Sequence, residues 1–336
     1  MEKKKNDFIA QGSILAIASI LVRVMGMIYR IPMTAIIGDK GNGFYSYAYS
    51  VYTILLLLSS YSLPLAVSKM VSAKAQLGQW RNVKRVFICA IAFAIGIGTT
   101  FGLIVLIGAQ FFTRVFFHSE LAAIALRFMA PTILIMALLG VFRGFFQGLQ
   151  NTLPTAVSQI VEGLINAIMS VVFAYFLFDF GHGMDAAGGT TDLGYAWGAA
   201  GGAIGTGAGA LAGLIFCFIL FVAYRKILAV NISRDKTGTQ QEYGDIFRLM
   251  LSIALPVILS TALYNLIELV DGSLFNNIMA SKGMEDVKDS MWGAYNAKAL
   301  LLVHIPVSIS SAMAVSLVPT LTAAYALGDE QTARSK

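Results

Sequence analysis

Two arginines lie seven residues apart, Arg23 and Arg30, in an otherwise apolar stretch near the N-terminus. Seven residues make about two helical turns, so both side chains lie on one face of a predicted helix. Guanidinium groups bind phosphate or carboxylate oxygens in bidentate fashion and stay charged at any cellular pH. The pair therefore predicts a binding site for an anionic group. The structural alternative is that Arg30 reaches lipid headgroups, or that both arginines pair with buried carboxylates.

A lysine and two carboxylates form a second set of charges in apolar sequence. Lys298 lies near the start of the last apolar stretch, and Glu268 and Asp271 lie in the stretch before it. A short connection joins the two stretches, which places the three residues at similar depth. We expect Lys298 to pair with Asp271 or Glu268, either beside a substrate or only to pack the two helices. His304 fits a hydrogen-bonded filler better than a proton carrier.

Glu162 belongs to a third polar stripe, together with Gln159 and Asn166 at helical spacing. Ionisable groups inside a membrane cost at least a few kcal/mol and usually face a polar interior. The carboxylate of Glu162 fits a ligand for a coupling ion and fits a hydrogen-bonded structural group equally well.

Two further patterns describe surfaces rather than charges. Tyr45, Tyr49 and Tyr52 share one helical face, which we interpret as part of an interfacial aromatic belt rather than as a platform for stacking sugars. A row of small residues at every fourth position predicts a helix face that a neighbouring helix approaches closely. Its members are Gly201, Gly205, Gly209 and Gly213.

Membrane helices must carry these residues. The chain has 336 residues, of which 57% are hydrophobic and 12% are charged, whereas soluble domains carry about 25% charged residues. A membrane-spanning helix needs roughly 20 apolar residues. The sequence predicts eight such spans, at residues 8–37, 44–72, 86–113, 121–147, 154–180, 195–225, 246–278 and 290–323.

The positions of Lys and Arg predict the orientation of these spans. With the N-terminus placed inside, sixteen basic residues fall in inner segments and five in outer segments. Such a bias indicates a multi-pass protein of the cell membrane with both chain ends in the cytoplasm. It also explains the net charge of +6 without a nucleic-acid partner.

An offset of 250 residues relates Gly43 and Tyr45 to Gly293 and Tyr295. Internal repeats that flank a central site are common among transporters. We therefore predict a six-helix lobe over residues 1–225 and a cytoplasmic linker over residues 226–244. Residues 245–336 would then be the first two helices of an incomplete second lobe.

Motifs for cofactor chemistry are missing from the sequence. It contains no nucleotide-binding loop, no zinc-ligand spacing and no nucleophile elbow. We therefore expect neither a cofactor nor a metal, and no enzymatic activity.

Three segments resemble a known family: residues 21–30 (LVRVMGMIYR), 142–151 (FRGFFQGLQN) and 154–162 (PTAVSQIVE). They are similar to the lipid II flippases and stage V sporulation proteins B, in the polysaccharide-transporter branch of the multidrug/oligosaccharidyl-lipid/polysaccharide (MOP) exporter superfamily. The resemblance implies an all-α, two-lobed carrier that opens alternately to the two sides of the membrane. It also implies that Arg23, Arg30 and Lys298 line the central cavity.

Two departures from the family pattern concern the substrate. Residues 51–60 contain no arginine where such flippases often have one, and the spacing of Arg23 and Arg30 is one residue longer than expected. Both favour the Gram-positive, sporulation-like branch. Family members have twelve or more spans, so we expect this chain to be truncated at its C-terminus.

Three classes of function fit these features to different degrees. A flippase for a polyprenyl-diphosphate-linked oligosaccharide, such as a peptidoglycan precursor, explains the buried arginines; its partners would be that lipid-linked sugar, membrane lipids and a coupling ion. A cation-coupled multidrug exporter would need acidic rather than basic cavity residues. An intramembrane glycan polymerase, using Glu162 or Glu268 with His304, would need a larger outer loop.

Overall fold

The computed structural model describes residues 2–188, 192–238, 240–300, 302, 303 and 306. These residues are almost entirely helical and contain no strand, which confirms the predicted all-α class. The helices are α1 (Glu2–Leu56), α2 (Leu63–Gln76), α3 (Trp80–Phe117), α4 (Ala122–Gly148), α5 (Leu153–Gly188), α6 (Leu193–Ser233), α7 (Tyr243–Ser281) and α8 (Glu285–Ala294). Two π-helical segments, Leu57–Tyr61 and Tyr295–Ala299, follow α1 and α8.

Five helical segments of the described chain are long and apolar enough to cross a membrane, so this is a multi-pass membrane protein. The first, Ile17–Gln76, has 60 residues. At 1.5 Å per residue it would extend about 90 Å, roughly three times the hydrocarbon thickness of a bilayer. It therefore contains the span that the sequence predicts at residues 44–72 and most of the span predicted at residues 8–37.

A single glycine reverses the chain between these two spans. Gly38 has φ 63° and ψ −176°, a backbone conformation that side chains with a Cβ rarely adopt. Met33 before the turn and Tyr45 after it both lie against Gly202 of α6, so the two arms of α1 form a hairpin. The six residues left between the two predicted spans, 38–43, are not a loop, because helix resumes at Asp39. We call the end of the bundle that contains Gly38 the hairpin end.

The glycine row of α6 packs against α5, as the sequence predicts. Gly205 lies directly on Ser170, and a Cβ on Gly209 would lie 2.5 Å from the carbonyl oxygen of Glu162. Backbones approach this closely only where no side chain intervenes, and such contact stabilises helix pairs in lipid. The α5–α6 pair has the most extensive packing in the described chain and fixes the direction in which α5 presents its polar stripe.

The connection between α6 and α7 is shorter than the linker predicted at residues 226–244. Helix α6 continues to Ser233, because Arg225 and Lys226 are compatible with helix outside the apolar region, and α7 begins at Tyr243. Helix α7 packs against α1, α2 and α3, and α8 packs mainly against α1. The division into two lobes stays a prediction.

Asp235 joins the connection between α6 and α7 to the start of α3 by hydrogen bonds. Its carboxylate accepts hydrogen bonds from the Arg81 N–H at 2.9 Å and from the Thr237 N–H and hydroxyl at 3.0 and 2.6 Å. The Arg81 N–H, followed by the two donors of Thr237, lowers the pKa of Asp235 to about 2. Bonds to the ionised form favour ionisation, so this contribution to stability is complete above about pH 4 and is lost as the pH falls toward 2.

We therefore expect the connection to stay ordered between pH 5 and pH 8. Asp235→Ala should release it throughout that range, and hydrogen exchange at the Arg81 and Thr237 amides should become faster in the variant. Asp245→Ala, which removes another carboxylate near the same connection, is the matched control. Unchanged exchange in Asp235→Ala would show that the carboxylate does not hold the connection.

Candidate functional site

The first arm of α1 has an apolar face and a basic face. Its exposed apolar side chains recur at i, i+4, i+7, i+11 and i+14, as Ile17, Leu21, Val24, Ile28 and Ile31. This spacing forms one continuous stripe suited to lipid. Arg23 and Arg30 lie about 130° around the helix from that stripe, at about 100° per residue. Both arginines therefore lie off this exposed apolar stripe, which agrees with the shared face that their spacing predicts.

Arg30 is half-buried in an aromatic environment. Its guanidinium lies within electrostatic range of Tyr29, its neighbour in the chain, and of Tyr45 and Tyr49 on the other arm of the hairpin. No carboxylate of a described side chain forms an ion pair with Arg30 or with Arg23. Among the described side chains, nothing supports the alternative in which both arginines pair with buried carboxylates. An enclosed cation without a counter-ion favours binding of an anion.

The three tyrosines of the second arm form a continuous row of rings, in which Tyr45 and Tyr52 are buried and Tyr49 is exposed. The rings of Tyr45 and Tyr49 stack with centroids 5.8 Å apart, and Tyr49 and Tyr52 follow at 5.9 Å. Tyr45 and Tyr52 are buried, at 7% and 2% exposure, and the Tyr45 hydroxyl lies 3.4 Å from that of Thr206 on α6. The aromatic-belt interpretation is wrong for these two rings, because belt residues must reach the lipid interface.

Glu162 has a cationic partner that sequence reasoning missed. Arg143 Nη2 lies 2.7 Å from Glu162 Oε2, and Arg143 Nε donates to the Ser158 hydroxyl at 2.8 Å. The side chains of Arg143 and Glu162 are 11% and 25% exposed, so the pair lies largely inside the α4–α5 contact. Arg143 and Glu162 both lie in segments that resemble the flippase family, and this resemblance is the signal in the sequence that points to the pair. Of the two interpretations of Glu162, this geometry favours the structural one.

Lys298 forms an ion pair that differs from the predicted one. Its Nζ lies 2.6 Å from Asp39 Oδ2, directly after the Gly38 turn. The expected direct pair with Asp271 is not made; Asp271 is exposed on α7. The side chain of Glu268 and all of His304 lie outside the described part of the chain. Gly38 is eight residues from Arg30, about 12 Å along the helix, so Lys298 is at the hairpin end rather than beside Arg30.

Helix α8 closes against α1 at the hairpin end. Gly293 lies on the backbone of Asp39, and Gly43 lies on the backbone of Asp289. Lys288 donates to the carbonyl oxygens of Phe117 and His118 at the end of α3, at 3.0 and 2.7 Å. Because both surfaces carry glycine, the two backbones can touch. Lys288 joins α8 to the end of α3, and Lys298, just after α8, pairs with Asp39 of α1.

The exposure of the Lys298–Asp39 pair determines its expected energy. The two side chains are 59% and 31% exposed, and exposed ion pairs contribute about 0–1 kcal/mol. A buried pair would contribute more, because the loss of one partner would leave an uncompensated charge. We now expect Lys298→Met to lower the free energy of unfolding by less than about 1 kcal/mol, measured by thermal unfolding in detergent. A loss as large as that of a buried pair would contradict this assignment; Lys282→Met is the control.

Known proteins match the chain over most of its length. The profile of the polysaccharide biosynthesis protein family matches residues 8–324. The chain belongs to this family. It is 26% identical over 327 residues to the lipid II flippase MurJ of Bacillus subtilis (strain 168), covering 94% of this chain and 58% of that protein. Stage V sporulation protein B of the same organism is 25% identical, with 95% and 58% covered. The chain thus spans less than two thirds of either relative.

Solved structures agree with the fold. A MOP superfamily transporter from Pyrococcus furiosus matches with a TM-score of 0.61 at 15% identity, covering 98% of this chain and 67% of that one. An inward-facing multidrug resistance MATE family transporter matches with a TM-score of 0.64, also at 15% identity, with 94% and 68% covered. At this identity the likeness concerns the fold alone, and it confirms the predicted MOP superfamily architecture.

Proposed function

We propose that this chain belongs to a flippase that moves a polyprenyl-diphosphate-linked oligosaccharide across the cytoplasmic membrane. The observation that carries the proposal is Arg30, a half-buried cation about 130° around α1 from the exposed apolar stripe, without a carboxylate partner among the described side chains. Arg23 adds a second cation on the same face. The name of one Bacillus relative, a lipid II flippase, supports the same substrate class.

A diphosphate fits this site chemically. It offers several anionic oxygens, and a guanidinium group can bind two of them in parallel. Low-dielectric walls strengthen the attraction relative to open water. The polyprenyl tail stays in the bilayer, so only the diphosphate and its sugars need a polar path. Binding and conformational change are sufficient for this task, and no covalent step is required.

Alternating access requires that the two ends of the protein open in turn. The contact of α8 with α1, joined by Lys298 and Asp39, is a closure at the hairpin end. The distribution of Lys and Arg supports an orientation with the hairpin end outside and both chain ends in the cytoplasm. The site would then receive the head group from the cytoplasm, and separation of α8 from α1 would release it outside.

The decisive experiment measures head-group translocation in vesicles that contain the full-length protein. The double variant Arg23→Ala, Arg30→Ala should insert normally and lose translocation. Arg127→Ala is the matched control, since Arg127 is an exposed arginine of α4. Full translocation by the double variant would overturn the proposal and favour a cation-coupled multidrug exporter, because a cationic substrate does not need the arginines.

A further inference from the structure

A single tyrosine lies at the centre of the closure at the hairpin end. Tyr47, on the second arm of α1, is completely buried. Its ring stacks on Phe117 of α3 with centroids 4.6 Å apart, and the ring of Trp292 on α8 lies 6.2 Å away at an interplanar angle of 12°. The Tyr47 hydroxyl donates a hydrogen bond to Oδ1 of Asn276 on α7 at 3.0 Å. Tyr47 therefore joins α1 to α3, α7 and α8 at one point.

The hydrogen bond between Tyr47 and Asn276 is enclosed by protein. Asn276 is as buried as Tyr47, and its Nδ2 donates to the Gly272 carbonyl oxygen at 2.8 Å. The Asp289 carboxylate of α8 lies within electrostatic range of Tyr47. Leaving a buried acceptor without its donor is costly, whereas water satisfies the same acceptor once it is exposed. The hydrogen bond therefore stabilises the closed arrangement specifically.

Helix α7 meets the other helices of the closure through a narrow face. Near the hairpin end, its buried residues Gly272, Asn276 and Met279 recur at i, i+4 and i+7. Leu274 and Ile278, on the other side of the helix, are 55% and 52% exposed. A narrow contact with one enclosed hydrogen bond at its centre can separate as a unit, without rearrangement of the tightly packed α5–α6 pair.

We infer that Tyr47 is the lock of this closure, and that its hydrogen bond to Asn276 sets how readily α7 and α8 separate from α1. The inference rests on the proposed function, in which the closure must open to release the head group, and adds the residue that controls the opening. The Lys298–Asp39 pair is exposed, and such pairs contribute little. The buried hydrogen bond should therefore dominate the equilibrium. Tyr47 is a positioning residue and does not contact the substrate.

Spin labels on two exposed side chains measure the opening. One label replaces Val287 on α8, and the other replaces Phe180 near the hairpin end of α5. The full-length protein, with its two buried cysteines changed to alanine, is reconstituted in lipid vesicles without substrate. The distance distribution then gives the ratio of open to closed molecules. Tyr47→Phe should raise this ratio about 10-fold, because the Asn276 oxygen loses its donor and is buried only in the closed arrangement.

The double variant Tyr47→Phe, Asn276→Leu separates the hydrogen bond from the packing of the ring. Replacing both partners by apolar groups of similar shape is nearly neutral, so the ratio should return close to that of the wild type. Tyr175→Phe on α5 and Asn277→Leu on α7 alter exposed side chains and are the matched controls.

Three results would overturn the inference. The first is an unchanged ratio in Tyr47→Phe, and the second is a double variant that is as open as the single one. The third is a lower unfolding temperature of Tyr47→Phe with an unchanged ratio, which would make Tyr47 a packing residue only. The proposed function fails separately, if Arg30→Ala leaves binding of a polyprenyl diphosphate intact, because that titration does not depend on the lock.

Discussion

Replacement of Arg143 by methionine is expected to lower the free energy of unfolding by about 3 kcal/mol. The substitution leaves the Glu162 carboxylate three-quarters buried in the α4–α5 contact without its cation. Loss of one partner of a buried pair typically costs about 3–5 kcal/mol, most of it from the remaining charge. The lower end applies here, because Glu162 keeps some exposure. Thermal unfolding of the purified protein in detergent measures the effect.

The double variant Arg143→Met, Glu162→Gln tests the role of Glu162. With both charges removed, most of the lost stability should return, since neutral replacements of a buried pair are often tolerated. If Glu162 is purely structural, the double variant also transports. A double variant that is stable and inactive would instead make Glu162 a ligand for the coupling ion. Arg143→Met as stable as the wild type would mean that the ion pair does not join α4 to α5 in the membrane.

The helical spans could be predicted from the sequence, but their ends could not. Hydropathy sets which residues cross the bilayer: the predicted span at residues 86–113 lies within α3, and the span at residues 121–147 matches α4 to within one residue. The reversal at Gly38 takes a single non-helical residue, although the glycine-rich, polar residues 38–43 between the predicted spans suggest a longer turn. Helix α6 runs past its predicted end for a related reason: hydropathy does not limit a helix in water.

The faces of the site residues were predictable, but their partners were not. Spacing alone put Arg23 and Arg30 on one face, and the exposed stripe of α1 agrees with it. Arg143 pairs with Glu162 across two helices, and Lys298 pairs with Asp39, which is 259 residues away in the sequence. Which residues become ion-pair partners depends on how the helices pack, and the periodicity of the sequence does not give this information. The tyrosine row shows the same limit, since spacing gives a common face without showing what covers it.

Arg30→Ala should weaken binding of a polyprenyl diphosphate about 100-fold, equivalent to roughly 2.8 kcal/mol. Truncating one partner of an enclosed charge pair costs about 2–5 kcal/mol, which supports this magnitude. Arg30→Lys should weaken it less, about tenfold, because lysine keeps the charge but loses the paired donors of the guanidinium. Arg23→Ala should have a smaller effect than Arg30→Ala, since Arg23 is exposed. Titration of the bare diphosphate against each purified variant measures all three values.

The stability of the same variants distinguishes binding from folding. Arg30 places a cation among tyrosines with no described carboxylate beside it, so its presence costs the fold part of its solvation energy. Removing the guanidinium should therefore leave the unfolding temperature unchanged or raise it, the opposite of the result expected for Arg143→Met. A residue kept for ligand binding at the expense of stability shows this combination of weaker binding and an equally stable fold. If Arg30→Ala unfolds at a clearly lower temperature, the guanidinium supports the fold, and the loss of binding could no longer be assigned to a missing contact with phosphate.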